Sequence, residues 1–557
     1  MRVKRPLILL LVFASAIFIL FQVIPMIINW YLNQNAAKIV RDMITRGYDF
    51  AGHEVRFGKI RFDYDYRGTY LQLNDVEIIP GETLQEKDKI RFHLNFEAAS
   101  LTGFKWIDFL LNNSIKLDSA YIENVSLESI TPPLEALDLD NSDKKRGEGE
   151  DYNKISMNHI RVNRVSFDNK DSYTDSTRLS IKDLFLFADD FELTKEDIND
   201  PEALFSVDNV EGYMDQAVLH FNQYRNALLA KDLSFNTEDQ KMIIEKVTLN
   251  NKLGKYEYTG QFEKETDWME LHQGKVQLGG MDFQTFFRKG HIVAESLTLE
   301  DPELEIFRDK RKPEDRERRP KMIHEVVKEL PKKVRVDNVI IENAYVSYEE
   351  RPDNDAPRAG KIFFDQINAT IGKVTNFSED LEKDDRMEVK ARGRLIGRAK
   401  IDLKVTYFIN DEKGKFLMNG KIGSMMLNPL NEMIEPATQV AIKSGWVNDV
   451  YFNIEADDID GHGDLIVKYK DLEIEILDKE FGKNQNILRR IGSFLANKVV
   501  IKSQNPTKRG TLNEGAVYFK RRQHKFIFNY WWHLVLSGLK STITGETEKE
   551  MRENSGK

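Results

Sequence analysis

The chain has 557 residues, of which 41% are hydrophobic and 31% charged, a balance that fits a folded body with a heavily solvated surface and excludes a polytopic membrane protein. A net charge of -10 argues against a nucleic-acid binder, which usually presents a basic face. The absence of cysteine excludes a disulfide framework and thiolate metal ligation.

Arg2, Lys4 and Arg5 precede an uncharged run from Leu7 to Ile28, long enough to cross a hydrocarbon core of about 30 Å as one helix. The basic residues predict a cytoplasmic N-terminus, with everything after Trp30 on the far side of the membrane. No Ala-x-Ala-like site follows the run, which is also longer than a signal-peptide core, so an anchor is expected and not a cleaved leader. Trp30 through Arg46 reads as a helix continuing out of the bilayer, with Trp30 and Tyr31 at the depth where aromatic rings meet headgroups. From His53 to Pro80 apolar and polar residues alternate around the turn signal Tyr66-Arg67-Gly68, which predicts a hairpin.

A six-position apolar pattern then recurs. It falls at Ile115, Leu117, Ala120, Ile122, Val125 and Leu127, and again at Ile155, Met157, Ile160, Val162, Val165 and Phe167. A degenerate copy at Ile292, Ala294, Leu297, Leu299, Pro302 and Leu304 keeps the spacing, and the clearest copy is Val334, Val336, Val339, Ile341, Ala344 and Val346. Half-copies begin at Leu71, Leu179, Leu228, Met242 and Ile362. Side chains two apart share a strand face and those three apart do not, so each step of three calls for a bulge or corner. In the clearest copy those steps are Asp337-Asn338 and Glu342-Asn343, side chains that tolerate unusual dihedrals. Repetition of this unit predicts an extended stack of short strands in preference to an ordinary large sandwich.

Between the repeats, the charged run ending at Asp151 and the stretches Arg308 to Lys321 and Ser378 to Arg386 read as solvated loops. The second could instead touch anionic headgroups, but acids interrupt its basic residues. Ile323 to Leu330 reads as a short helix, Asn428 to Lys443 as a helix stopped by Gly445, and Asn484 to Asn497 as another with Ile487, Ile491, Phe494 and Leu495 on its apolar side. Lys525 to Lys540 carries apolar rows opposite Lys525, Asn529, His533 and Lys540. It suits either a helix lying in a headgroup interface, with Trp531 and Trp532 as anchors, or a final helix packed on the sheet.

No catalytic constellation emerges. There is no G-x-S-x-G elbow and no phosphate-cradling Gly-Lys-Ser/Thr loop. His324-Glu325 begins like a zinc-protease helix, but Lys328 stands where the second histidine belongs. Gly461-His462-Gly463 reads as a turn with one exposed imidazole. The expectation is a non-enzyme without cofactor or metal.

The single N-terminal membrane helix, the short helix ending near Gly47 and the strand pair GHEVRFGKIRFDY…TYLQLNDVEI together resemble the AsmA-like proteins of Gram-negative envelopes, a family that includes TamB-type bridge-like lipid-transfer proteins. The repeated strand unit adds to the resemblance. So does Ile442-Lys443-Ser444-Gly445 followed by strands Val450 to Ala456 and Gly463 to Leu477, similar to the C-terminal module in which a short helix leads through a Ser-Gly turn into strands. The resemblance implies a mainly β fold: an elongated, twisted, repetitive antiparallel sheet forming an apolar groove, with one transmembrane helix and a few short helices. It divides the chain into an anchor (1–30), an N-terminal β region (31–134), a charged linker (135–154), groove repeats (155–410), a C-terminal module (411–500) and a tail (501–557). It also implies an inner-membrane, periplasmic protein that shields phospholipid and supports outer-membrane assembly, with membrane lipids and envelope proteins as partners and no nucleic acid. Ile122, Leu127, Val336, Ile341 and Val346 are the expected groove residues. The alternative is a non-catalytic assembly factor that binds envelope proteins through open sheet edges.

Overall fold

The structure, a computed structural model, describes residues 13–15, 17–47, 52–66, 68–84, 86, 88–132, 152–195, 206–221, 224–354, 356–477 and 502–555. Arg2, Lys4 and Arg5, the linker at 135–151, Arg67 and the helix expected at Asn484 to Asn497 lie outside the described residues. The chain is mainly β, a long antiparallel-rich sheet with few helices. It separates into two units. The first holds residues up to 224 with 228–244 and 282–290, and the second holds the remainder, so the stretch 155–410 is shared between them.

The apolar N-terminal segment is helical, and Phe13–Gln34 is long and apolar enough to cross a membrane. Its last part, α1 (Ile24–Gln34), leads into α2 (Ala36–Gly47). The expected hairpin is β1 (His53–Asp65) and β2 (Gly68–Pro80), paired antiparallel from His53 with Pro80 to Asp65 with Gly68. Strand β3 (Arg91–Phe104) follows, then the short helix α3 (Trp106–Asn112) and β4 (Ser114–Thr131), β5 (Lys154–Asp171), β6 (Thr177–Thr194) and β7 (Asn209–Phe221). Next come β8 (Asn226–Asn236), β9 (Lys241–Asn251), β10 (Asp267–Gln273), β11 (Val276–Gly279), β12 (Ile292–Glu300) and β13 (Glu303–Asp309). The helix α4 (Ile323–Lys328) precedes β14 (Val334–Arg351) and β15 (Gly360–Thr375). After α5 (Ser378–Lys383) run β16 (Arg386–Leu395), β17 (Ala399–Phe408), β18 (Phe416–Ile422) and β19 (Met425–Met426). The chain ends with α6 (Asn431–Thr438), β20 (Val440–Ala456), β21 (Asp460–Ile476), β22 (Gly515–Lys520), α7 (Ile527–Thr544) and α8 (Glu548–Ser555).

Full copies of the repeat lie side by side, and they pair in parallel, not antiparallel. All six positions of the β4 copy face those of β5, from Ile115 with Ile155 to Leu127 with Phe167. Five of the six do so where β12 and β13 meet β14, from Ile292 with Val334 to Leu304 with Val346, Pro302 falling between the two strands. A kink in one strand must be matched by its neighbour or the ladder is lost, and parallel copies match automatically because their steps of three coincide.

In the full copies each step of three is a kink. At the second step the strand's own residue turns left-handed: Asn124 (φ 55°), Arg164 (52°), Asp301 (51°) and Asn343 (52°), with Asp75, Asp183 and Asp232 doing the same in half-copies. At the first step the left-handed residue sits on the antiparallel neighbour. Lys373 (φ 59°) lies opposite Asp337 and Asp190 (52°) opposite Asn158. Side-chain contacts line these kinks: Asn343 Nδ2 donates to Asp301 Oδ1 at 2.6 Å, Arg164 pairs with Glu123 at 2.7 Å and Asn124 donates to Glu97.

Three local expectations are corrected. Ser378–Lys383 is a helix and not a loop; six residues with only Leu381 apolar give no helical periodicity to read. The helix expected to reach Lys443 ends at Thr438, stopped by Gln439 at φ 57°, so Ser444-Gly445 lies within β20 and not in a helix-to-strand turn. Gly461-His462-Gly463 is the start of β21, with His462 facing Tyr518.

Asn343 is exposed and left-handed. Replacing it with valine should destabilise the second unit by about 1–2 kcal/mol, whereas glycine should be close to neutral. Denaturant midpoints of the two variants check this; equal midpoints would remove the kink's conformational demand.

Candidate functional site

The apolar face that the repeats build is covered in some places and bare in others. In the first unit α1 and α2 lay Leu32, Ala36 and Val40 on Phe62, Leu71, Leu73, Val76 and Ala99, with Ile122 at the margin of this cluster. Two asparagines fasten α1 to the outer edge of β1. Asn33 bonds both backbone groups of Phe62 at 2.8 and 2.9 Å, and Asn29 both of Tyr64 at 3.1 and 2.6 Å. Spaced four apart on a helix, the two amides meet strand residues two apart on one edge. Then α3 covers the start of β4, packing Phe109 with Phe104, Leu117 and Tyr152.

Among the described residues these helices reach no further than Ile155 and Met157, the first two repeat positions of β5. On β5 all six repeat positions are half-buried and none is buried, and Leu179, Ile181, Leu184 and Leu186 on β6 are the same. Cross-strand partners share a face: Val162 stands beside Ile122 on one side and Leu186 on the other. The opposite face carries paired charges such as Lys154 with Glu192 and Lys170 with Glu128, both at 2.6 Å. From Ile160 to Phe167, beyond the residues packed under α3, the strip runs about 23 Å, still longer than the ~15 Å thickness of one leaflet's hydrocarbon.

The second unit shows what a covered face looks like. There Val405, Phe416, Met418, Leu465 and Val517 are at most 1% exposed beneath Tyr530 and Leu534 of α7. Small residues let the helix come close: a Cβ on Gly538 would fall 2.7 Å from Leu465 Cβ. Ser537 and Ser541 accept from the outward N–H groups of Tyr518 and Ala516 at 3.2 and 3.0 Å, which caps the outer edge of β22. The C-terminal amphipathic segment is therefore the packed helix. Its expected polar side is also revised, because His533 stacks on Phe519 at 4.6 Å and burial pushes its imidazole down to about 4.

The predicted groove residues fall on two strands. Ile122 and Leu127 on β4 and Ile341 and Val346 on β14 are half-buried. Val336 is covered by the chain itself, at 4% exposure. Of the aromatic anchors, Trp30 and Tyr31 are 65% and 58% exposed on α1, Trp532 is 43% exposed, and Trp531 packs against the second unit's core.

Sequence reasoning missed an ionic staple in the second unit. Arg308 forks onto Asp267 with two bonds of 2.7 Å, and Lys525, just before α7, bridges Glu265 at 2.8 Å and Glu314 at 2.6 Å. The stretch Arg308 to Lys321 is thus no free headgroup patch: Lys310 pairs with Glu350, Arg311 with Asp309, Arg318 with Asp267 and Lys321 with Glu329. The one signal available was the alternation of acids and bases. Nearby, a cavity of about 280 Å³ is lined by Lys255, Trp268, Phe307, Ser347 and Glu349, just under the ~300–1,000 Å³ usual for small-molecule pockets. Its one lysine is tied to Glu349 at 2.6 Å. His324 is buried at 8% exposure on α4 while Glu325 bonds the backbone N–H of Met322, and no cluster of three metal-ligating side chains occurs among the described residues.

No family model matches the chain, and no curated protein matches it significantly.

Partial burial would raise the Glu314 carboxyl, but Lys525 and His524 overrule it and hold it down at about 2, from an ordinary 4.5. A carboxylate with a depressed value stabilises the fold fully above the unfolded value and loses that contribution as pH falls through the folded one. Melting temperature should therefore drop between pH 4.5 and 2, and Glu314→Gln should lower it at neutral pH and flatten that slope. A variant with the parent's slope would contradict the assignment.

Proposed function

We propose that this chain is a membrane-anchored, AsmA-like protein that shields the acyl chains of phospholipid on the bare apolar face of β5 and β6. By this reading the anchor lies in the inner membrane with its N-terminus cytoplasmic, the β body is periplasmic, and the activity is lipid transport in support of outer-membrane assembly. The observation that carries it is the contrast between one apolar face roofed by α7 and another, of the same side-chain chemistry, whose repeat positions on β5 and β6 are half-buried and none fully buried. A soluble protein rarely leaves so long an apolar strip open without an occupant.

The energetics fit that occupant. Taking one chain of about sixteen carbons from a bilayer into water costs about 0.8 kcal/mol per methylene, near 12 kcal/mol in all. A strip of valine, isoleucine, leucine and phenylalanine removes most of that barrier while the headgroup stays in water. Nothing in this mechanism calls for a reaction step. Ile122, Leu127, Ile341 and Val346 remain lipid-facing candidates, joined by Val162, Val165, Leu184 and Leu186; Val336 drops out because the chain covers it.

The alternative, an assembly factor recruiting proteins through open sheet edges, is less well supported. Asn29 and Asn33 occupy the outer edge of β1 at Tyr64 and Phe62, and Ser537 and Ser541 that of β22 at Tyr518 and Ala516. A strand offered for augmentation needs free backbone groups.

Photo-crosslinkers placed at Val162 and Ile122 in cells should capture phospholipid well above an exposed control at Lys182. Equal capture at all three positions argues for a dry scaffold. Removing bound lipid should also lower the melting temperature of the first unit, as ligand linkage requires.

A further inference from the structure

In the first unit, α3 turns Trp106 and Phe109 inward, where Phe109 packs on Phe104, Leu117 and Tyr152. Its other side chains do the opposite: Ile107, Leu110 and Leu111 are 72%, 71% and 79% exposed. Three adjacent large aliphatic residues bared to this degree on seven residues of helix mark a contact surface and not ordinary surface scatter.

The position of α3 identifies what it touches. Phe104, two residues before the helix, pairs with Thr69 at the turn of the β1–β2 hairpin. A Cβ on Gly68 would lie 2.9 Å from Gly103 Cα, so the turn and the chain entering α3 are in contact. Trp106 Nε1 donates to Thr69 Oγ1 at 2.7 Å. The same turn meets the apolar N-terminal helix: Tyr66 packs edge-on against Phe21, with ring centres 5.1 Å apart. One hairpin turn therefore has the membrane helix on one side and α3 on the other. Tyr66 and Tyr70 are 46% and 36% exposed there, aromatic residues of the kind that settle at headgroup depth. Lys105, the residue before the helix, is paired with Asp118 at 3.4 Å, and the exposed side chains of α3 itself at 107, 110 and 111 are aliphatic, which fits an apolar medium.

We infer that α3 inserts Ile107, Leu110 and Leu111 into the bilayer that receives the exposed part of the N-terminal apolar helix, as a second, shallow membrane contact. Its inner side packs with Leu117, Ile115, Ile155 and Met157, where the bare face of β5 begins. The inserted helix thereby sets the mouth of that face against the membrane, the place where an acyl chain enters. This rests on reading Phe13–Gln34 as a membrane span, and the test separates the two.

Because the chain has no cysteine, single cysteines at Leu111, Ile17 and Lys182 can each carry an environment-sensitive fluorophore in the full-length protein, reconstituted in phosphatidylethanolamine–phosphatidylglycerol nanodiscs. The probe at position 111 should be blue-shifted and quenched by lipids spin-labelled near the headgroup, while the one at 182 stays water-like. Adding Ile107→Asp and Leu110→Asp should abolish quenching at 111 and leave the probe at 17 unchanged; both sites are exposed, so the fold tolerates the change. A water-like probe at 111 with a lipid-embedded probe at 17 overturns the inference alone. A water-like probe at both overturns the anchor reading as well. Rapid disulfide dimerisation of the unlabelled Leu111→Cys protein would assign the patch to a second copy and overturn the insertion.

Discussion

A kink in a β-strand is tolerated only when the strand beside it yields at the same place. That single requirement organises this protein. It explains why the apolar spacing repeats with fixed steps, why full copies lie parallel and in register, and why left-handed residues gather where the steps of three occur. It also fixes the faces. Each kink resets the alternation of side chains, so that residues three apart come to lie on one side and a continuous apolar surface survives through strands of up to 18 residues.

What happens to that surface then depends on what lies over it. In the second unit α7 comes close enough to bury its half of the contact, helped by glycine and held by serine hydroxyls and the Lys525 bridge. In the first unit the described roof over β1 to β4 consists of α1, α2 and α3, and the short helix Phe283–Lys289 sets Phe283 on Phe235 of β8. The hydrophobic effect acts on both surfaces alike, so the difference between a core and a binding surface is made by the reach of a few helical segments and not by the strands beneath them.

Much of this could be read from the amino acids. The hairpin from His53 to Pro80, the repeat positions and the kinks at Asn124 and Asn343 follow from apolar spacing and from the residues that fill the steps. The kinks carried by Lys373 and Asp190 could not be read, because they answer a step on a neighbouring strand, and that pairing is unknown before the register is. For the same reason parallel pairing of the copies was missed: alternation reports which face a side chain takes and says nothing of strand direction. The bare strip was legible only in composition. Val336 and Val162 occupy equivalent kinds of position in sequence, and only the placement of distant segments makes one covered and the other open.

The asparagine pair on α1 and the serine pair on α7 have a further consequence. Where a strand's outer hydrogen-bonding groups are already occupied it cannot template another, so an added strand is blocked at Phe62 and Tyr64 of β1 and at Ala516 and Tyr518 of β22. Lengthening such a protein over evolutionary time must then proceed by duplication inside the chain, between the two stoppers, where a new copy brings its own matching kinks. The terminal segments would stay constant while the middle varies in copy number.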